Sequence, residues 1–299
     1  MISSRPSGSS DSAITSHTVE SGAFARHFVS GRFSVSFRPI NLKLPPWLAL
    51  GDVLMPSHSA SERSAVQAAN ACLSVLMPMY NEIDTLRAIV SAVLAQPVVG
   101  ELIAVDDGSS DGSRELLAEL AKEDQRIRAF FHEANRGKGA ALRTAISAIQ
   151  CRYVIIQDAD LEYNPAEYEK LLAPLISDEV DVVYGSRYAR AKNIQEAYFG
   201  QYLANRVLTW LCNRFTGLRL TDMETCYKMF HSSLLQKISI EEKGFGIEPE
   251  VTAKIAKMRV RLREVPIAYA ARAYSAGKKI GWKDGIRTLA CIVRYSQKG

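Results

Sequence analysis

At 299 residues and 47% hydrophobic content, the chain suffices for one large domain or two small ones and is too apolar for global disorder. Its net charge of +5 is mild but unevenly placed, with six cations against one acid from Arg187 to Leu220 and seven against one from Arg272 onward. That placement suits phosphate groups, nucleic acid or an anionic membrane surface, while the lack of any run near ~18 apolar residues excludes a membrane span.

Residues 1–70 are Ser-rich, without apolar period and without the continuous apolar stretch of a secretory signal. They read as a disordered extension, with an organellar transit peptide as the minor alternative. From residue 72 a regular alternation sets in. Strands are expected at 72–78, 101–107, 126–133, 153–160 and 180–187. Helices are expected at 81–96, 113–124 with Ser113 as N-cap, 137–150 and 165–177. Strand–helix alternation with short loops predicts an α/β domain with a doubly wound, mostly parallel sheet and right-handed crossovers. Beyond residue 190 the pattern turns helical, with one more strand near 260–267 and a basic tail. Five cysteines (Cys72, Cys151, Cys212, Cys226, Cys291) are scattered without CxxC spacing. They read as reduced thiols of a cytosolic protein, with no zinc site.

Open parallel sheets bind ligands beyond the carboxyl ends of their strands. Here those ends carry Pro78, Tyr80, Asn81 and Glu82; Asp106 and Asp107; Asp158, Ala159 and Asp160; and Ser186 with Arg187. Acids converging from three strand ends repel one another and call for a cation or a donor-rich ligand between them. Oxygen-only ligands suit Mg²⁺ or Mn²⁺, which usually keeps diphosphate oxygens in its shell. No GxGxxG follows the first strand, and "NRGKGAA" lacks the P-loop spacing, so a nucleotide diphosphate fits better than a dinucleotide.

The stretches "SVLMPMYNE", "VDDGSSDGS", "NRGKGAAL", "DADLEYNP" and "GSRY", in this order and spacing, resemble a family 2 glycosyltransferase of the GT-A fold. The kin most resembled are dolichol-phosphate mannose synthases and polyprenyl-phosphate glucosyltransferases. The resemblance implies a Rossmann-like, mostly parallel sheet flanked by helices over residues 71–290. It divides the chain into a nucleotide-sugar half at 71–190 and a helical, basic acceptor half at 191–290, with a tail at 291–299. It implies that the donor nucleotide-sugar rests on Pro78, Tyr80, Glu82, Val105, Asp107, Lys138, Asp158, Ala159, Asp160 and Arg187. A metal would be held by Asp160 and Glu162. At the position of Glu162 mannose synthases commonly carry Gln, so this chain adds a negative charge. Asp160, Arg187 and Asp222 are the implied catalytic residues.

Three later features bear on the acceptor. "TDMETCYKMF" resembles the family's D-x-x-S-G-F-K stretch, matching at Thr225 and Lys228 but with Cys226 in place of Gly. "EVPIAYAARAYSAGKK" resembles its "EVPI…R…SK" tail, so Lys228, Arg272 and Lys278 are the implied phosphate contacts. The stretch 198–217 carries Phe199, Leu203, Val207, Trp210, Leu211 and Phe215 at helical spacing, beside Arg206 and Arg214. It reads either as a core-packing helix or as one lying among lipid headgroups. The expected reaction is an inverting transfer of a hexose, from GDP-mannose or UDP-glucose, to a polyprenyl or dolichyl phosphate at a membrane surface. The alternative is a soluble enzyme acting on a hydroxyl, with Asp222 or Glu224 as base. The protein is expected on the cytoplasmic side, peripheral to the membrane or anchored by a partner. Nucleic acid is not an expected partner, since no groove-reading motif accompanies the cations.

Overall fold

The apolar run Leu73–Met79 (β1) is buried along its whole length, as a strand covered on both faces must be. A computed structural model describes residues 72–189, 199–244, 246–271 and 282–297. In chain order it continues with α1 (Ile83–Leu94), β2 (Val99–Asp106), α2 (Ser113–Glu123), β3 (Ile127–Phe131), α3 (Lys138–Ser147) and β4 (Tyr153–Ile156). A short 3₁₀ turn at Pro165–Glu167 leads into α4 (Tyr168–Ile176) and β5 (Val182–Ser186). The later elements are α5 (Phe199–Thr216), β6 (Lys228–His231), α6 (Ser232–Leu235), α7 (Ile247–Lys257), β7 (Leu262–Pro266) and α8 (Trp282–Gln297).

The seven strands form one sheet in the order β3-β2-β1-β4-β6-β5-β7. It is mostly parallel, as expected from the alternation. The exception is β6, which runs antiparallel between β4 and β5. At four residues inside a polar, turn-rich stretch, it is too short to give a periodic signal. Its reversal brings the segment before it, residues 221–227, up to the carboxyl ends of β4 and β5. The order changes direction between β1 and β4, which opens the ligand crevice of such sheets.

Two expectations are corrected. The N-cap of α2 is Gly112, with φ 97°, not Ser113. The Ser113 hydroxyl instead accepts the Glu82 backbone N–H at 2.9 Å, tying the end of β1 to the β2 turn. The cysteines are not all reduced: Cys72 and Cys151 are joined in a disulfide, with Cα atoms 4.9 Å apart, at the end of the sheet opposite the crevice. Scattered spacing conceals this pair, because the parallel register of β1 with β4 brings residues 79 apart in sequence side by side. Cys212, Cys226 and Cys291 are free and buried.

Candidate functional site

β4 stops at Ile156, so Asp158, Asp160 and Glu162 lie in the turn beyond it rather than in the strand. Within that turn Leu161 has φ 62°, a left-handed backbone that is costly for a bulky residue, and it is held there by core packing with 4% exposure. The Asp160 carboxylate accepts the Glu162 N–H at 3.1 Å. Thr85, in the first turn of α1, donates its hydroxyl to the Ala159 carbonyl at 2.8 Å and pins the loop to α1. Glu162 accepts the Tyr269 hydroxyl at 2.5 Å.

Lys138, the first residue of α3, reaches Asp158 at 2.9 Å and Glu248 at 2.9 Å. Burial opposes its charge, but the two carboxylates outweigh burial and hold the ammonium well above the ordinary lysine value. The glycine ahead of it is required: Gly137 has φ 91°, and a side chain there would strike the Lys243 backbone. Lys138 is thus a clamp fastening Asp158 to the start of α7. Glu248 and α7 gave no sequence signal beyond an ordinary helical run.

Among the described residues, no three His, Cys, Asp or Glu side chains converge into a ready-made metal cage. The donors in the turn are all oxygens, and Mg²⁺-type ions bind through one or two carboxylates plus substrate phosphates rather than through all-protein cages. The turn therefore fits such an ion through Asp160 and Glu162, with the shell completed by other oxygens.

The expected donor residues divide into two groups. Pro78 and Val105 sit opposite each other in the β1–β2 register, both buried, near the carboxyl ends of those strands. Tyr80 and Glu82 are half-buried just beyond β1. Asp107, in contrast, is turned inward: it accepts the backbone N–H groups of Arg136 and Gly137, at 3.0 and 2.7 Å, and lies 2.6 Å from His132 Nδ1. Its carboxylate shapes the loop into α3.

Arg187 follows β5 and forms a two-pronged pair with Asp222, at 2.7 and 2.8 Å. Asp222 also accepts the Arg187 N–H at 3.0 Å and the Asn205 side-chain amide at 3.0 Å. Both Asp222 oxygens are thus doubly engaged and the residue is fully buried. Asp222, expected as a base, is thus engaged by Arg187 and Asn205 on both oxygens in this structure. Burial opposes the Arg187 charge, and Asp222 more than restores it. Glu264, from the "EVPI" stretch, accepts the Thr221 and Asp222 backbone N–H groups and holds the same segment.

Lys228, expected as a phosphate contact, is turned inward. It is 1% exposed, donates to the backbone carbonyls of Met223 (3.0 Å) and Thr225, and sits 4.8 Å from the Tyr184 ring centroid. Burial pulls it below the ordinary lysine value. It braces the 221–227 segment and does not present an ammonium to a ligand. Arg272 and Lys278 lie outside the described residues. In the same segment Glu224 is pushed up to about 8 by burial, with Glu248 adding to the effect, and its Oε1 is buried without a hydrogen-bond partner.

α5 inverts the usual arrangement of an amphipathic helix. Asn205 and Thr209 are buried, whereas Leu203, Val207 and Trp210 are 52%, 50% and 64% exposed. These three form one stripe at i, i+4 and i+7, with exposed Arg206 and Arg214 beside it and Phe215 also exposed near the end of the helix. α8 packs beside α5 and adds exposed Leu289 and Arg294. This face does not pack into the core. Among the described residues, no helix is long and apolar enough to cross a membrane.

A nucleotide-type crevice at the switch point of a 3-2-1-4-6-5-7 sheet, with an acidic turn beyond β4, defines the GT-A class of fold. In agreement, the structure superposes on glucosyl-3-phosphoglycerate synthase from Mycobacterium tuberculosis, solved with Mn²⁺, UDP and phosphoglyceric acid. The TM-score is 0.64 at 18% identity, over 82% of this chain and 84% of that one. Residues 74–240 match the model of glycosyl transferase family 2, and the chain belongs to that family. It is 29% identical over 196 residues to glycosyltransferase AglJ of Haloferax volcanii, covering 65% of this chain and 62% of that protein. It is 25% identical over 216 residues to undecaprenyl-phosphate mannosyltransferase of Micrococcus luteus, covering 69% and 86% respectively. The chain thus spans only about three fifths of the archaeal relative's length.

Proposed function

We propose that this chain transfers a hexose from a nucleotide-diphosphate sugar, GDP-mannose or UDP-glucose, to a polyprenyl or dolichyl phosphate at a membrane surface. The observation that carries this reading is the placement of the Asp158–Glu162 turn at the switch-point crevice, in a molecule that also exposes the apolar, Arg-flanked stripe of α5. The name of the Micrococcus relative, which specifies a polyprenyl-phosphate acceptor, supports the same reading.

The chemistry follows from charge. Pro78 and Val105 floor the nucleotide side of the crevice, and Lys138 orients Asp158 toward the donor. Mg²⁺ or Mn²⁺ at Asp160 and Glu162 would supply positive charge for the leaving diphosphate. An acceptor phosphate oxygen attacks the anomeric carbon from the face opposite the nucleotide. The new carbon–oxygen bond forms as the bond to the diphosphate breaks, its electron pair leaves with the nucleotide, and the anomeric centre inverts. A phosphate acceptor is already an anion and requires no protein base, which agrees with the saturated carboxylate of Asp222. The α5 stripe would lie among lipid headgroups, Trp210 at the interface and the arginines toward anionic lipid. In that position it would bring a membrane-borne acceptor to the crevice.

The test is incubation with labelled GDP-mannose or UDP-glucose, Mg²⁺ or Mn²⁺, and undecaprenyl or dolichyl phosphate. Label is expected to enter the lipid phase only with metal. In parallel, vesicles containing phosphatidylglycerol should blue-shift Trp210 emission, and a triple change of Leu203, Val207 and Trp210 to Ser should abolish flotation. Absence of lipid-soluble label with either donor would sink the proposal.

A further inference from the structure

We infer that Tyr269 is a positioning residue that holds Glu162 in place for a divalent cation and ties the acidic turn to the Arg187–Asp222 pair. The inference rests on the metal-assisted reading above. Tyr269 follows β7 and meets the acidic turn in three ways. Its hydroxyl donates to Glu162 Oε2 at 2.5 Å. Its backbone forms an isolated antiparallel bridge with Tyr163, and the N–H of the next residue, Ala270, donates to the Glu162 carbonyl at 2.9 Å. Its ring meets that of Tyr163 edge-on, with centroids 5.1 Å apart. On another side the Arg187 guanidinium lies 5.1 Å from the Tyr269 centroid, within cation–π range. One side chain therefore touches both the acidic turn and the cation that follows β5.

The geometry matters because the turn is strained. Leu161, at φ 62°, stands between Asp160 and Glu162. A backbone in that region persists only where its surroundings over-determine it. Thr85 fastens the turn at Ala159, and the Tyr269 segment fastens it at Glu162. Partners that orient ligating side chains typically affect metal affinity 10–100-fold. Tyr269 occupies that place for Glu162.

The variant Tyr269→Phe removes the hydroxyl and keeps the ring. Mn²⁺ is titrated by electron paramagnetic resonance in saturating UDP and, in parallel, GDP. Tyr269→Phe is expected to weaken Mn²⁺ binding roughly 10-fold or more while nucleotide binding without metal stays at the wild-type level. The cycle with Glu162→Ala separates positioning from packing. Once Glu162 is removed, Tyr269→Phe should have no further effect on Mn²⁺. Wild-type Mn²⁺ affinity in Tyr269→Phe, or losses that simply add in the double variant, overturns the inference. If Tyr269→Phe does not fold, Tyr269→Met, which likewise has no donor to offer Glu162, takes its place, with the same cycle and the same overturning outcomes. A wild-type protein that takes up no Mn²⁺ with either nucleotide overturns the metal-assisted reading itself, and this inference with it.

Discussion

Asp222→Asn would remove the charge from the most enclosed ion pair of the site. Asp222 is fully buried and accepts four hydrogen bonds, three from Arg187 and one from Asn205. An asparagine retains one acceptor oxygen, so at least one of these donors would face an amide NH₂, and the guanidinium would stay buried without its counter-charge. Breaking a buried pair from one side costs about 3–5 kcal/mol. For a domain of this size that is a fall of roughly 6–20 °C in melting temperature. Calorimetry or a dye-based melt measures it directly. The double variant Arg187→Met with Asp222→Leu removes both charges and should recover at least half of that loss, because no orphaned charge remains. Activity should fall in both variants if Arg187 serves the leaving group. A melting temperature within 1 °C of wild type in Asp222→Asn, with loss confined to kcat, would refute the reasoning and restore Asp222 as a base.

Glu224→Gln should change how stability depends on pH. Burial raises the Glu224 carboxyl to about 8 from the ordinary 4.5, so the unfolded state releases its proton first and wild-type stability falls as pH rises between those values. Relative to wild type the variant should therefore gain steadily from pH 5 to pH 9, by an amount on the order of a few kcal/mol; a difference in melting temperature that does not vary with pH would count against it. Thiol titration in denaturant, on protein purified without reductant, should find three free thiols of the five cysteines, and all five after reduction. Cys72→Ser should cost roughly 4 kcal/mol by the loop-closure argument, and a titration that finds five thiols without reductant would remove the disulfide from the protein.

The α/β frame is legible in the sequence because β1, β2 and β4 are continuous apolar runs and the helices between them keep a 3.6-residue period. The acidic turn is legible for the same reason: Asp158 and Asp160 follow directly on a buried strand, where charge needs a purpose. Side-chain direction is less accessible. Nothing in "VDD" indicates that Asp107 turns inward to cap a loop, or that Lys228 folds back on Met223 and Thr225. Asp107 depends on partners in the distant 132–137 loop, and Lys228 on a local fold-back to Met223 and Thr225 set by the short reversed strand β6. Tyr269 was visible in the "EVPIAYAARAY" stretch, but its contacts with Glu162 and Tyr163, over a hundred residues away, are encoded by no local pattern. The α5 stripe was legible as a helix with two readings, but the outward direction of Leu203, Val207 and Trp210 was not.

These corrections narrow the question of the acceptor. With Asp222 saturated and Lys228 turned to the backbone, Glu224 is the remaining base candidate in the 221–227 segment. It has a buried, unpartnered oxygen, which suits a carboxyl that holds its proton near neutrality more than one that collects protons from a mobile hydroxyl. A phosphate acceptor leaves Glu224 with no proton to take. Glu224→Gln should then keep kcat within a few-fold of wild type, while a hydroxyl acceptor would make the same change cost on the order of 10²–10⁴ in kcat. Because Gln preserves shape and removes the raised carboxyl, its melting profile reports folding independently of its turnover. The two measurements together separate a structural carboxyl from a catalytic one.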